Sequence, residues 1–161
     1  MKIKFTKQSG IYTLISEQIL PISLDKAWDF FTVPNNLDKI TPAEMKFKIT
    51  NNPPPKTYKG QIITYEIGIL SGINSNWITE ITHLEDRKFF VDEQRFGPYA
   101  MWHHEHHFEE LGNDKIKMTD IVNFKLLFGF LGDFFAGKLV TNKVKTIFEN
   151  RFVILEKTFS S

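Results

Sequence analysis

Residues Trp102–Glu110 read WHHEHHFEE and hold four of the chain's five histidines: His103, His104, His106 and His107. A helix would set His103 and His107 on one face at the i, i+4 spacing of helical zinc sites, whereas a strand would send alternate histidines to opposite faces. The flanks choose between the two. Gly97 and Pro98 supply a turn on one side, and Gly112, Asn113 and Asp114 supply another, which leaves room for a strand and little for a helix. The zinc-protease pattern HExxH also fails, because Phe108 stands where its second histidine belongs.

Working outward, the residues on either side repeat with a period of two. KFFVDEQR (Lys88–Arg95) precedes the Gly97 turn and KIKMTDIVNFKL (Lys115–Leu126) follows the Asp114 turn. Earlier, Met45–Thr50, Gln61–Ile69 and Trp77–His83 alternate, separated by the NNPPP run and by SGINSN (Ser71–Asn76). Ile11–Leu20 is a further strand. Two short helices follow it: one over SLDKAWDFF, capped by Ser23 and ended by Pro34, and one over NNLDKITP, capped by Asn35 or Asn36. From Asp133 the period becomes helical, with Leu139, Val140, Val144, Ile147, Phe148, Phe152 and Leu155 as an apolar stripe over residues 133–159. The economical packing is an α+β fold: a curved antiparallel sheet of about seven strands gripping that helix. The stretch FKLLFGFLGDFFAGKLV ahead of the stripe is read as core packing plus a loop, with a mobile lid or a partner surface as alternatives.

Composition narrows the function. The chain has 161 residues, which suits one domain spanning 1–161. Its 20 Lys+Arg offset 19 Asp+Glu, so no basic field points to nucleic acid or to an anionic membrane. Without cysteine there is no disulfide framework, no thiolate nucleophile and no sulfur-ligated metal. MKIKFTKQSG lacks the apolar core of a signal peptide, and no apolar run reaches the roughly 18 residues of a membrane span. A cytoplasmic protein without stable membrane insertion is expected. Sixteen phenylalanines and no cofactor motif suggest a bulky core or a wide apolar pocket, and no cofactor is expected.

Strand parity then gathers the polar residues. Trp102, His104, His106 and Phe108 share the inner face, while His103, Glu105 and His107 face solvent. Asp120 lies on the face of Ile116, Met118, Val122 and Phe124, and folding about Gly112–Asp114 sets it opposite His104 or His106. Phe90, Asp92 and Gln94 share a face, and the Gly97 turn brings Asp92 near His104 and Gln94 near Trp102. One inward polar group results: Asp92, Gln94, His104, His106 and Asp120. It is a bonded network fixing strand register, or the polar anchor of a ligand cavity, or a metal site in which two histidines and a carboxylate hold zinc or iron. Pairing with aspartate explains the histidines without metal, so no metal is expected.

FVDEQRFGPYAMWHHEHHFEE (Phe90–Glu110), MTDIVNF (Met118–Phe124) and IFENRF (Ile147–Phe152), in this order of elements, resemble the START-like or SRPBCC superfamily, in particular a small bacterial branch with a W-x-H-x-H-x-F strand labelled ligand-binding or polyketide cyclase/dehydrase-like. The resemblance covers nearly the whole chain. It implies a helix-grip fold with a cavity between the sheet and the long helix, and Trp102, His104 and His106 on the cavity wall. No family catalytic residue carries over. The leading expectation is a binder of a hydrophobic small molecule, of lipid, isoprenoid or aromatic polyketide type. Asp92, Gln94, Trp102, His104, His106, Asp120, Phe90, Phe124 and Phe148 would line its site. Phe30, Phe31, Trp77, Phe108 and Phe152 are further wall or core candidates. One rival is a cyclase or dehydratase using His104, His106 and Asp120 as a His–Asp acid/base device. Another is a stress or cell-division regulator acting through protein contacts.

Overall fold

The protein is described by a computed structural model covering residues 2–70 and 73–160. Its elements are β1 (Lys2–Gln8), β2 (Ile11–Leu20), α1 (Leu24–Phe31), α2 (Leu37–Ile40), β3 (Lys48–Ile49), β4 (Ile62–Leu70), β5 (Ile73–Glu85), β6 (Phe89–Phe96), β7 (Met101–Gly112), β8 (Lys115–Lys125) and α3 (Gly129–Phe159). Among the described residues the strands form one antiparallel sheet in the order β1-β2-β8-β7-β6-β5-β4-β3. Consecutive strands from β3 to β8 are neighbours, and β8 returns to pair with β2. The long α3 lies against the inner face.

WHHEHHFEE is strand throughout, inside β7. Its parity holds: His104, His106 and Phe108 are buried, while His103, Glu105 and His107 are partly exposed. β2 spans Ile11–Leu20 as anticipated, and Ser23 caps α1 by accepting from the Lys26 amide at 3.4 Å. Among the described residues there are eight strands rather than about seven. The added strand, β1, pairs with β2 through a turn in which Ser9 and Gly10 both have positive φ, the conformation a tight two-residue hairpin requires.

Three boundaries move. The strand expected over Met45–Thr50 shrinks to Lys48–Ile49, because Ala43–Met45 forms a 3-10 turn and Lys46 adopts a left-handed φ of 45° that breaks the extended run. The turn expected at Ser71–Asn76 lies partly outside the described residues, and β5 is already extended from Ile73. The C-terminal helix begins at Gly129, four residues before Asp133, because Phe128 and Gly129 both take positive φ and turn the chain directly out of β8. Asp133 is therefore inside the helix.

Packing on α3 separates its face into two. Val144, Phe148 and Leu155 are buried, but Leu139, expected on the stripe, is 60% exposed. Phe128, Phe134 and Phe135 are also solvent-facing, so this stretch is not the core packing that its aromatic content suggests. One buried cluster centres on Trp28, Trp77, Phe90, Phe108 and Leu155, and a second on Tyr12, Leu14, Phe124, Val144 and Phe148. Tyr99 and Trp102 touch both. No helix among the described residues is long and apolar enough to cross a membrane.

Candidate functional site

Between the inner face of the sheet and α3 lies a cavity of about 180 Å³. Its wall is mostly aromatic and aliphatic: Phe30 and Phe31 from α1, Ile63 and Tyr65 from β4, Trp77, Thr79 and Ile81 from β5, Phe90 from β6, Trp102 from β7, and Val144, Ile147 and Phe148 from α3. One patch is polar, made of Asp92, His104, His106 and Arg151.

Asp92 and His104 are direct cross-strand partners, and so are His106 and Asp120. This register brings two imidazoles and two carboxylates into one compact group. His104 and His106 have ring centroids 3.8 Å apart. His104 Nε2 lies 3.1 Å from Asp120 Oδ1, and His106 Nε2 lies 2.8 Å from Asp92 Oδ2, both as hydrogen bonds. The remaining nitrogens face the other carboxylate: His104 Nδ1 is 3.4 Å from Asp92 Oδ2, and His106 Nδ1 is 3.0 Å from Asp120 Oδ1. That last contact is close but badly aligned, since His106 Nδ1 makes no hydrogen bond with any described residue. Phe90 stacks on His106 at 4.2 Å, and Phe148 meets His104 edge-on at 5.7 Å.

The charges in this group are interdependent. Burial works against the Asp120 anion, but Arg151 and then the two imidazoles outweigh it and hold the carboxyl well below its ordinary range. Asp92 is held low in the same way by His104, His106 and Arg151. Burial also opposes charge on His106, yet its two carboxylate contacts prevail and raise its pKa. For His104 burial wins, reinforced by the neighbouring His106, and its pKa falls. Two touching imidazoles cannot both carry a proton's charge cheaply. The two carboxylates thus draw a proton toward His106, while burial and that neighbour disfavour one on His104. Burial likewise keeps the Tyr65 and Tyr99 phenols protonated, with Asp92 adding to the effect at Tyr65.

Of the residues singled out in the sequence, Asp92, Trp102, His104, His106, Phe90 and Phe148 line the cavity. Asp120 stands behind the two histidines rather than on the wall. Phe124 is fully buried among Tyr12, Tyr99 and Trp102 and lies off the wall. Gln94 also leaves the polar group: its amide donates to the Tyr99 carbonyl at 2.8 Å and accepts from the Tyr99 amide at 3.2 Å, bracing the turn between β6 and β7. Gly97 makes this possible, because a Cβ there would sit 2.5 Å from Gln94 Oε1. Phe30, Phe31 and Trp77 are wall, whereas Phe108 is core. Phe152 does not reach the wall, and its carbonyl instead accepts from Gln18 Nε2 of β2 at 3.1 Å.

Arg151 is the main residue that sequence reasoning missed. The signal was present: Val144, Phe148, Arg151 and Leu155 follow the three-four spacing of the buried stripe, and an arginine on such a stripe needs buried anions to balance it. Tyr65 and Thr79, whose hydroxyls lie 3.2 Å apart on adjacent strands, gave only ordinary strand alternation.

An antiparallel sheet closing on a long C-terminal helix, with short helices between its second and third strands, is the START-like, helix-grip fold. Solved structures agree with this assignment. An aromatase/cyclase from a Streptomyces species superposes with a TM-score of 0.74 at 12% identity, covering 93% of this chain and 94% of its own. A START superfamily protein from Mycobacterium smegmatis gives 0.71 at 11% identity over 92% and 97% of the two chains. A major latex-like protein from Panax ginseng gives 0.67 at 12% identity over 94% and 99%. At such identities the likeness concerns the fold. No protein-family model matches the sequence, and no curated protein does.

Proposed function

We propose that this protein binds a small, mainly apolar molecule carrying at least one hydrogen-bond-accepting oxygen, in the cavity between the sheet and α3. Lipid, isoprenoid and aromatic polyketide classes all include such compounds. The observation that carries the proposal is a pair of buried donors on the cavity-lining residues. Trp77 Nε1 and Arg151 Nε have no hydrogen-bond partner among the described residues. Both are donor-only groups, and each costs about 1–3 kcal/mol when buried unpaired. A ligand carbonyl or carboxylate relieves that cost while its apolar body covers the aromatic wall.

Binding is favoured over acid/base catalysis by the state of the histidines. All four ring nitrogens of His104 and His106 lie within 3.4 Å of a carboxylate oxygen, so both imidazoles are engaged by Asp92 and Asp120 before any substrate arrives. The cyclase or dehydratase alternative requires that network to open first.

Native mass spectrometry of the purified protein, followed by organic extraction, tests for a co-purifying ligand. Affinity is then read from tryptophan fluorescence, since Trp77 and Trp102 both line the cavity. An aromatic carboxylic acid is expected to bind more tightly than its parent hydrocarbon. Arg151→Lys keeps the positive charge but removes the Nε donor, and should cost the acid about 10–100-fold in affinity while barely affecting the hydrocarbon. Equal losses for both compounds, or no binding of either to wild type, would refute the proposal.

A further inference from the structure

We infer that Asp92, His104 and His106 form a binding site for one divalent transition-metal ion at the cavity wall, with Asp120 holding both imidazoles from behind. One donor atom from each of the three lies within 4.8 Å of the others. Two donors on a tetrahedral zinc-sized ion sit about 3.3 Å apart, given bonds near 2.0–2.2 Å. His104 Nδ1 to Asp92 Oδ2 is already 3.4 Å, and His106 Nε2 to Asp92 Oδ2 is 2.8 Å. Closing the set on an ion therefore takes side-chain shifts on the order of an ångström.

The far side of each ring is already arranged for this. Metal-bound histidines give their second N–H to a carboxylate or carbonyl, which fixes tautomer and ring orientation. Asp120 Oδ1 lies 3.1 Å from His104 Nε2 and 3.0 Å from His106 Nδ1, so a single oxygen serves both rings. Without an ion, His106 Nδ1 is the buried atom left without an aligned partner. With an ion on Nε2, Nδ1 must carry the proton, and a small ring rotation aims it at Asp120.

The orientation of the His104 ring points the same way. Its Nε2 is hydrogen-bonded to Asp120 Oδ1 at 3.1 Å, which leaves Nδ1, 3.4 Å from Asp92 Oδ2, as the nitrogen turned toward the candidate ion. Two imidazoles and one carboxylate suit zinc or ferrous iron, whereas calcium and magnesium favour oxygen-only shells. Three protein ligands leave a coordination position open to whatever occupies the cavity. The site does not depend on the ligand proposed above.

The test uses the full chain, stripped with a chelator and titrated calorimetrically with zinc chloride, with Co²⁺ absorbance reporting coordination geometry. One ion per chain is expected, with Kd at or below about 1 µM and visible Co²⁺ bands of a four- or five-coordinate site. His104→Gln should abolish uptake, and Asp120→Asn should weaken it about 10–100-fold. The double variant His103→Ala/His107→Ala should bind like wild type. That variant alters only partly exposed side chains, so it remains informative if the buried changes compromise folding. An anaerobic titration with Fe²⁺ measures ferrous uptake at the same three ligands, which is expected to be weaker than that of zinc. No saturable uptake of either ion below about 100 µM, or uptake lost in the outer-face double variant, overturns the inference.

Discussion

Replacing His106 with alanine should lower the free energy of unfolding by about 3–5 kcal/mol, the scale for removing one partner from a buried charge group. His106 is 4% exposed and lies between Asp92 and Asp120. Its loss leaves two buried carboxylates with Arg151 as the remaining cation in the group, and it empties the space against which Phe90 stacks. His103 is the control one face away. It pairs with Glu93 at 2.9 Å and Glu105 at 3.4 Å, but in a solvent-accessible position, where such pairs contribute about 0–1 kcal/mol. His103→Ala and His107→Ala should each stay within about 0.5 kcal/mol of wild type in urea unfolding. A reversal of the two faces, with the outer pair sensitive and His106 silent, would mean that β7 does not present its even-numbered residues to the interior.

That face assignment was legible because alternation is a strong signal on a strand whose inner side carries large aromatics. Trp102 and Phe108 set the parity of β7, and Ile116, Met118, Val122 and Phe124 set that of β8. Turn chemistry at Gly112–Asp114 placed Asp120 opposite His104 or His106, and the ladder selects His106. Where the pattern failed, a local interaction had displaced it. Gln94 has the right parity for the polar group, yet a side-chain amide can complete both hydrogen-bonding groups of a nearby peptide unit, and Tyr99 offers one. Phe124 has the right parity too, but depth is not a property of parity: it sits one aromatic layer behind Trp102. β1 went unread because Ile3 and Phe5 alternate with lysines and threonine on an edge strand, a pattern weak enough to pass for a polar leader. The exposed Phe128, Phe134 and Phe135 show the complementary error, since aromatic content alone does not establish burial.

The distinction between wall and core yields the second large effect. Phe124 is 0% exposed, stacks on Tyr12 with ring centroids 5.2 Å apart, and meets Tyr99 and Trp102 at 5.6 and 5.8 Å. Truncation to alanine removes a ring surrounded on all sides, so Phe124→Ala should cost about 3–5 kcal/mol. Phe148 is almost as buried at 4%, but one side of its ring borders the cavity. A side chain facing a void has fewer partners to lose, so Phe148→Ala should cost less, about 1.5–3 kcal/mol from the lost transfer of the ring alone. Binding should rank the other way. Phe148→Ala reshapes the space that holds the ligand and should change both affinity and the preferred ligand size, whereas Phe124→Ala acts on the wall only through Trp102. Urea denaturation and fluorescence titration of the same two variants read both rankings. If Phe148→Ala proves as costly to stability as Phe124→Ala and leaves ligand affinity untouched, the space beside α3 is closed core and the binding proposal loses its site.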